Sequence, residues 1–390
     1  MEEKISMCNF DENLIEIKKF EVLSELPNPF LFENGTMLEK KEQWEVRRRE
    51  LYKLAVEMQY GTQPPAPEFM KIQTLCCNEE MQMDSYRIIA GRDNNSLSFK
   101  MVVFKPKGND KYPVVVDGDL CWRYIYDPQF IDSFTDRGIM LVMFDRTEIA
   151  SDLVPGVRSG PLHELYTEYT FGTIGAWAWG FSRCIDALGI LGIADMTCIA
   201  FSGHSRGGKA ALLAGALDNR AAIVNPNASG QGGSGCFRIH MRAIDEKGSE
   251  LRSEQMSDCA FYGIYHWFGP EMKQYTGSEG NLPFDEHYLK ALVAPRILVE
   301  TESASDIWAN IIGTWETAMA AREVYRFLEA EDNLLLYFRK GEHEHTVEDV
   351  EKLVSVIRNR MCGEPVAKGA FVLPFKKQRL IYHWKCPRNI

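Results

Sequence analysis

The chain has 390 residues, 45% of them hydrophobic, and a formal net charge of −11 at pH 7. That length and apolar share suffice for a large core, while the acidic balance excludes nucleic acid and anionic membrane surfaces as expected partners. No apolar run approaches the roughly 18 residues of a membrane span. The first residues show no leader character and the ten cysteines show no paired metal spacing, so the expected setting is the cytoplasm, with free thiols.

Residues 1–69 are expected to form a wrapping segment and one helix, ahead of a hydrolase-sized domain over 70–390. The first forty residues are polar, with turn signals at Pro27-Asn28-Pro29 and Asn34-Gly35. Trp44, Leu51, Leu54, Ala55 and Met58 recur at helical spacing, and Tyr60-Gly61 with the prolines that follow ends that helix. From about residue 70 the period becomes two, through Tyr86–Ile89 and Ser98–Phe104. Val114–Val116 and Met140–Phe144 are short apolar runs of the kind that form buried strands. The loop after Val116, at Asp117-Gly118-Asp119, is where a second oxyanion donor is expected, with Trp122, Tyr124 and Tyr126 close by. Residues 151–170 read as loop, and Thr173–Leu191 as a long helix of interleaved small and aromatic residues.

Thr197–Lys209 is the centre of the chain. An apolar strand ends in Gly203-His204-Ser205-Arg206-Gly207, and a small-residue helix follows at once. This is the strand–turn–helix context of the nucleophile elbow, in which flanking glycines remove clashing side chains and the serine stands at a helix N-terminus. Ser205 is therefore the candidate nucleophile, and a backbone N–H just beyond it a candidate oxyanion donor. Arg206 and Lys209, two cations within a helical turn of it, are candidates to stabilise an oxyanion or bind a carboxylate or sugar hydroxyls.

Ala222–Val224 is a short strand, and Asn225–Cys236 a long Gly/Ser/Asn loop. Residues 240–285 read as polar helix and loop, an aromatic insertion at the site mouth carrying Phe261, Tyr262, Tyr265, His266, Trp267 and Phe268; Trp267 is the candidate substrate contact. Arg296–Glu300 and Asn333–Phe338 are strands, Trp315–Leu328 and Val347–Met361 helices. Strands alternating with helices imply a mostly parallel central sheet flanked by helices, a three-layer α/β sandwich.

A serine hydroxyl needs a base, and the base an orienting acid, in the chain order Ser, Asp/Glu, His. Gly341-Glu342-His343-Glu344-His345, after the last strand, offers His343 and His345; His343, nearer the strand end, is preferred. The loop after the preceding strand offers Glu302 and Asp306. His-Glu-His also resembles a metal tract, but no further ligand set accompanies it, so neither metal nor cofactor is expected.

Three stretches, Ala176–Leu188, Gly203–Lys209 and Ser229–Arg238, resemble carbohydrate esterase family 15, the glucuronoyl esterases. Leu282–Asp285, Leu292–Arg296 and Gly341–His345 add to the likeness, while Leu26–Phe30 and Tyr60–Pro65 are similar to its bacterial branch. The resemblance implies an α/β-hydrolase fold and cleavage of (4-O-methyl)glucuronic acid esters joining xylan to lignin alcohols; some relatives act as acetyl xylan esterases. By position it makes Ser205 the nucleophile, Arg206 the oxyanion-stabilising arginine, Lys209 a uronate contact and Phe237 the counterpart of a sugar-stacking tryptophan. Ala228 stands where fungal members carry their triad acid, which moves that role to the later loop, where Asp306-Ile307-Trp308 matches bacterial relatives. His204 replaces a cysteine that in fungal members is disulfide-bonded beside the catalytic histidine. Fungal alignment favours His345 as base, and relatives with one histidine favour His343.

These features imply a serine esterase acting on a small or oligosaccharide ester, glucuronoyl or acetyl, through an acyl-enzyme. A general short-chain carboxylesterase and a silent hydrolase fold used for binding are the alternatives.

Overall fold

Val114, Val115 and Val116 are wholly buried, and successive side chains enter different layers: Val114 and Val116 join the larger core, Val115 the smaller. Met140–Phe144 divides in the same way. Strands apolar on both faces belong inside a parallel sheet covered by helices on each side. The structure, a computed structural model, describes residues 16–108, 110–122, 127–153, 156–244, 247–376 and 379–387.

The strands are β1 (Glu16–Val22), β2 (Phe69–Asn78), β3 (Met83–Arg92), β4 (Asn95–Phe104), β5 (Tyr112–Asp117), β6 (Met140–Phe144), β7 (Ala194–His204), β8 (Ile223–Asn227), β9 (Ile239–Ile244), β10 (Glu250–Arg252), β11 (Ile297–Ser303) and β12 (Leu334–Arg339). The helices are α1 (Trp44–Tyr52), α2 (Pro128–Thr135), α3 (Pro161–Leu165), α4 (Thr173–Leu191), α5 (Arg206–Leu217), α6 (Met256–Phe261), α7 (Glu286–Val293), α8 (Ile311–Phe327) and α9 (Val347–Cys362). A nine-stranded sheet runs β12-β11-β8-β7-β5-β6-β4-β3-β2. It is parallel from β12 to β6 and antiparallel from there to β2. Helices α4, α5, α7 and α8 pack in succession on one face, and α2 and α9 together on the other. This is the expected three-layer α/β-hydrolase sandwich, with β7 near its middle. The C-terminal ends of its parallel strands gather the loops that carry the candidate residues, as open α/β sheets do.

Three stretches differ from the sequence expectation, one of them the short helix α3, which falls within the 151–170 stretch read as loop. Residues 239–244 form a strand, because Ile239, Met241 and Ala243 are buried while His240 is half-buried and Arg242 exposed. That period of two lies in a polar insertion that reads as helix and loop. β9 pairs antiparallel with β10 and with β1, so part of the N-terminal tail is also strand. Leu26, Phe30, Leu38, Trp44 and Leu51 bury themselves in the main core. Among the described residues no helix is long and apolar enough to cross a membrane.

Candidate active site

β7 delivers Ser205 to the sheet edge with φ 54° and ψ −121°. A side-chain-bearing residue at positive φ is strained and persists only where its surroundings over-determine it. Here the Ser205 N–H donates to the Asn227 carbonyl at 2.9 Å, and the Ser205 carbonyl accepts from the Lys209 N–H at 3.0 Å. One residue back, the His204 N–H donates to Asp119 Oδ2 at 2.7 Å. A Cβ on Gly203 would strike the Gly207 backbone, and one on Gly207 the Asp119 carboxylate. Both glycines are steric requirements of the turn.

His343 lies on the loop beyond β12, its Nε2 2.9 Å from Ser205 Oγ and its Nδ1 2.6 Å from Asp306 Oδ2. A carboxylate only accepts, so Nδ1 carries the proton and Nε2 presents its lone pair to the serine hydroxyl. Asp306 is held in turn: its Oδ1 accepts the Ala309 N–H at 3.0 Å, and its own N–H donates to the Ser303 carbonyl at 3.1 Å.

The rival candidates fall elsewhere. His345 is buried against Phe130, with ring centroids 5.1 Å apart, and near His204 at 5.9 Å; burial pushes its pKa down to about 3. Glu302 is still within β11 and wholly buried, and neither carboxyl oxygen bonds to a described residue. Burial first, then Asp306 and Glu300, push its pKa well up. The strand's end decides between the two acids: Asp306 lies past it, on a loop that reaches the histidine.

Arg206, the first residue of α5, gives an N–H from one terminal nitrogen to Asp152 Oδ2 at 2.9 Å. Its charge centre lies 4.9 Å from the Trp267 ring centroid and 5.8 Å from that of Trp122. Trp267 donates its Nε1–H to Asp152 Oδ1 at 3.0 Å. Lys209 Nζ meets the carbonyls of Ser229 (2.7 Å) and Gln231 (2.5 Å) and Glu254 Oε2 (2.7 Å). An ammonium has three donors, so Lys209 is saturated by the protein and ties the 229–231 loop to Glu254.

A cleft of about 200 Å³ opens over Ser205 and His343, with Arg206, Glu254, Trp267 and Trp308 among its walls. Phe237 is not part of it, which corrects the expectation of a substrate contact. Its ring is wholly buried, 6.2 Å from Phe284, and its N–H donates to Asp285 Oδ1 at 3.1 Å. Asp285 also pairs with Arg238 at 2.9 Å, and that clamp turns Phe237 into the core.

In the loop after β5, where a second oxyanion donor is expected, three N–H groups are already engaged. The N–H groups of Asp119, Leu120 and Trp122 are taken by Asp117 Oδ1 and by the carbonyls of Phe144 and Asp119. The loop's contribution is the Asp119 carboxylate, paired with buried Arg146 and bracing His204. Tyr124 and Tyr126 lie outside the described residues. Sequence reasoning missed Asp152 and Glu254, single carboxylates with no local pattern, and gave Trp308 no role of its own although it stands two residues from Asp306.

The family model described as "Glucuronyl esterase, fungi" matches residues 88–329. A 4-O-methyl-glucuronoyl methylesterase of Podospora anserina is 30% identical over 331 residues, covering 83% of this chain and 64% of that protein. The enzyme of the same name from Schizophyllum commune is 30% identical over 314 residues, covering 80% and 75%. The chain thus spans slightly under two thirds of the Podospora protein and three quarters of the Schizophyllum one. A solved carbohydrate esterase family 15 glucuronoyl esterase from Caldicellulosiruptor kristjansonii superposes with a TM-score of 0.79 at 28% identity, covering 93% of this chain and 97% of that one. With the nucleophile elbow and the α/β-hydrolase sheet in place, the chain belongs to the glucuronoyl esterases, carbohydrate esterase family 15.

Proposed function

We propose that the protein is a serine esterase that cleaves a glucuronoyl ester through an acyl-enzyme. The observation that carries this reading is the unbroken relay from Ser205 Oγ through His343 to Asp306, at 2.9 and 2.6 Å, opening into one cleft.

Ser205 Oγ attacks the ester carbonyl carbon while its proton passes to His343 Nε2, and Asp306 stabilises the imidazolium that forms. The carbonyl oxygen becomes an oxyanion beside the Arg206 guanidinium and the N-terminus of α5, whose first N–H groups lack intrahelical acceptors. Collapse of the tetrahedral intermediate breaks the bond to the alcohol oxygen, which takes the proton from His343. Water then repeats the sequence on the acyl-enzyme, releasing the acid and restoring Ser205.

The cleft suits a sugar-borne acyl group. Trp267 and Trp308 supply flat apolar walls, and Glu254, fixed by Lys209, supplies a carboxylate that accepts from hydroxyl groups. The relatives' name, 4-O-methyl-glucuronoyl methylesterase, supports the same acyl group.

The test is hydrolysis of benzyl glucuronate beside 4-nitrophenyl acetate, by wild type and Ser205→Ala. Preference for the glucuronate, abolished in the variant, is the expected result. Turnover of acetate alone overturns the acyl-group assignment, and activity that survives Ser205→Ala overturns the nucleophile.

A further inference from the structure

Asp152 lies on the connection after β6, 54 residues before the arginine it holds. It does not touch the Ser205–His343–Asp306 relay, yet it divides its carboxylate between two walls of the cleft. Oδ2 accepts from Arg206 at 2.9 Å, and Oδ1 accepts from Trp267 Nε1 at 3.0 Å. These two residues come from separate elements, the first turn of α5 and the aromatic insertion. Asp152 is therefore the point where the two are tied together.

A guanidinium carries five N–H donors in a fixed planar fork. Asp152 takes one terminal nitrogen of Arg206, while the Nε–H has no hydrogen-bond partner among the described residues. The charge centre of Arg206 also lies over the Trp267 ring, 4.9 Å from the centroid, and over that of Trp122 at 5.8 Å. An arginine gripped at one corner and lying over two rings is restrained before substrate arrives. Donors fixed in advance stabilise developing charge without reorganisation cost at the moment of reaction.

We propose that Asp152 is a positioning residue for ester hydrolysis: it sets the guanidinium of Arg206 for the oxyanion and locks Trp267 beneath it as one unit. The proposal rests on the reading of Arg206 as the oxyanion donor. A plain ion pair of this exposure, 15% for Asp152 and 31% for Arg206, would instead contribute little and only to stability.

The test is a double-mutant cycle on benzyl glucuronate with Asp152→Ala, Arg206→Ala and the double variant, with thermal unfolding of each. Asp152→Asn is the second probe should the alanine variant fold poorly, because it keeps an acceptor for Trp267 and removes the charge. Asp152→Ala is expected to lower kcat by about 10- to 100-fold with KM nearly unchanged, the signature of an interaction made in the transition state. In the Arg206→Ala background the same substitution is expected to change kcat less than about threefold, because residues acting as one unit are not additive. If Arg206→Ala loses activity while Asp152→Ala and Asp152→Asn keep it, the inference is overturned and the arginine's role stands. Additive losses also overturn it, since Asp152 would then act independently of Arg206. If Arg206→Ala keeps full activity, the reading of the arginine fails and the inference fails with it.

Discussion

The imidazole of His204 lies against that of His343, ring centroids 4.6 Å apart and planes inclined by 43°. Asn227 Oδ1 accepts from His204 Nδ1 at 2.6 Å, while the backbone carbonyl of the same asparagine accepts the Ser205 N–H. One residue thus anchors the nucleophile and the ring beside the base. Burial, then His343 and His345, push the pKa of His204 well down, so no second cation stands beside His343 when it takes the serine proton. His204→Ala is expected to lower kcat by about 10- to 100-fold, the scale of a small misplacement at a reacting group. His204→Phe, which keeps a ring there, should retain more activity. Steady-state kinetics with a melting curve for each variant checks this; an alanine variant as active as wild type would reduce the contact to packing.

The two carboxylates near the base can be told apart by amide substitution. Asp306→Asn leaves the shape intact but spoils the proton arrangement on His343, and kcat should fall by roughly 10³- to 10⁴-fold. Glu302 lies within β11 and its carboxyl oxygens bond to no described residue, so Glu302→Gln, which keeps much of its volume, should leave kcat within about threefold of wild type. Single-turnover rates on both variants decide the matter, and the reverse pattern would move the triad acid into β11.

Lys209 is expected to act first on stability. Lys209→Ala leaves Glu254 and two loop carbonyls without their donor in a buried setting, which costs about 3–5 kcal/mol where one partner of a buried pair is removed. Lys209→Met combined with Glu254→Gln removes both charges and should recover part of that loss. Urea unfolding of the three proteins measures it. A Lys209→Ala protein as stable as wild type would show that the 229–231 loop does not depend on this ammonium.

His345 imposes an acid limit. Its folded pKa is lowered to about 3 from an ordinary value of 6.5. Between those values the unfolded chain binds more protons, so stability rises with pH through the window and is lost as pH falls from about 6.5 toward 3. Above 6.5 the group adds no pH dependence. His345→Phe, which keeps an aromatic against Phe130, should flatten the acid limb of unfolding free energy against pH by up to about 1.4 kcal/mol per pH unit. Denaturant melts between pH 4 and pH 7 provide the comparison, and an unchanged slope would mean His345 is not buried as a neutral ring.

Local pattern carried much of the molecule. The helix expected at Thr173–Leu191 has those bounds in the structure, and the strand into Ser205 with the small-residue helix after it stands as read. Period-two alternation marked the strands through Phe104, and short apolar runs marked β5 and β6, because burial on one or both faces leaves its trace in consecutive residues. β9 escaped because its inward face holds only Ile239, Met241 and Ala243 in a polar, aromatic-rich stretch.

By itself the chain determined the class of chemistry: the elbow at Gly203–Gly207 requires a nucleophile turn, and the order serine, carboxylate, histidine follows from how strands succeed one another. It left His343 beside His345 and Asp306 beside Glu302 undecided, since each pair lies within a few residues and either member satisfies the order. Only the tertiary structure separated them. A strand end decides which carboxylate leaves the sheet, and loop geometry decides which imidazole reaches Ser205 Oγ. It also recruited Asp152 and Glu254, whose partners lie 54 and 45 residues away and leave no periodic signal, and it withdrew Phe237 into the core. Periodicity records which face of an element is buried; the distance between side chains on different elements is set by packing alone.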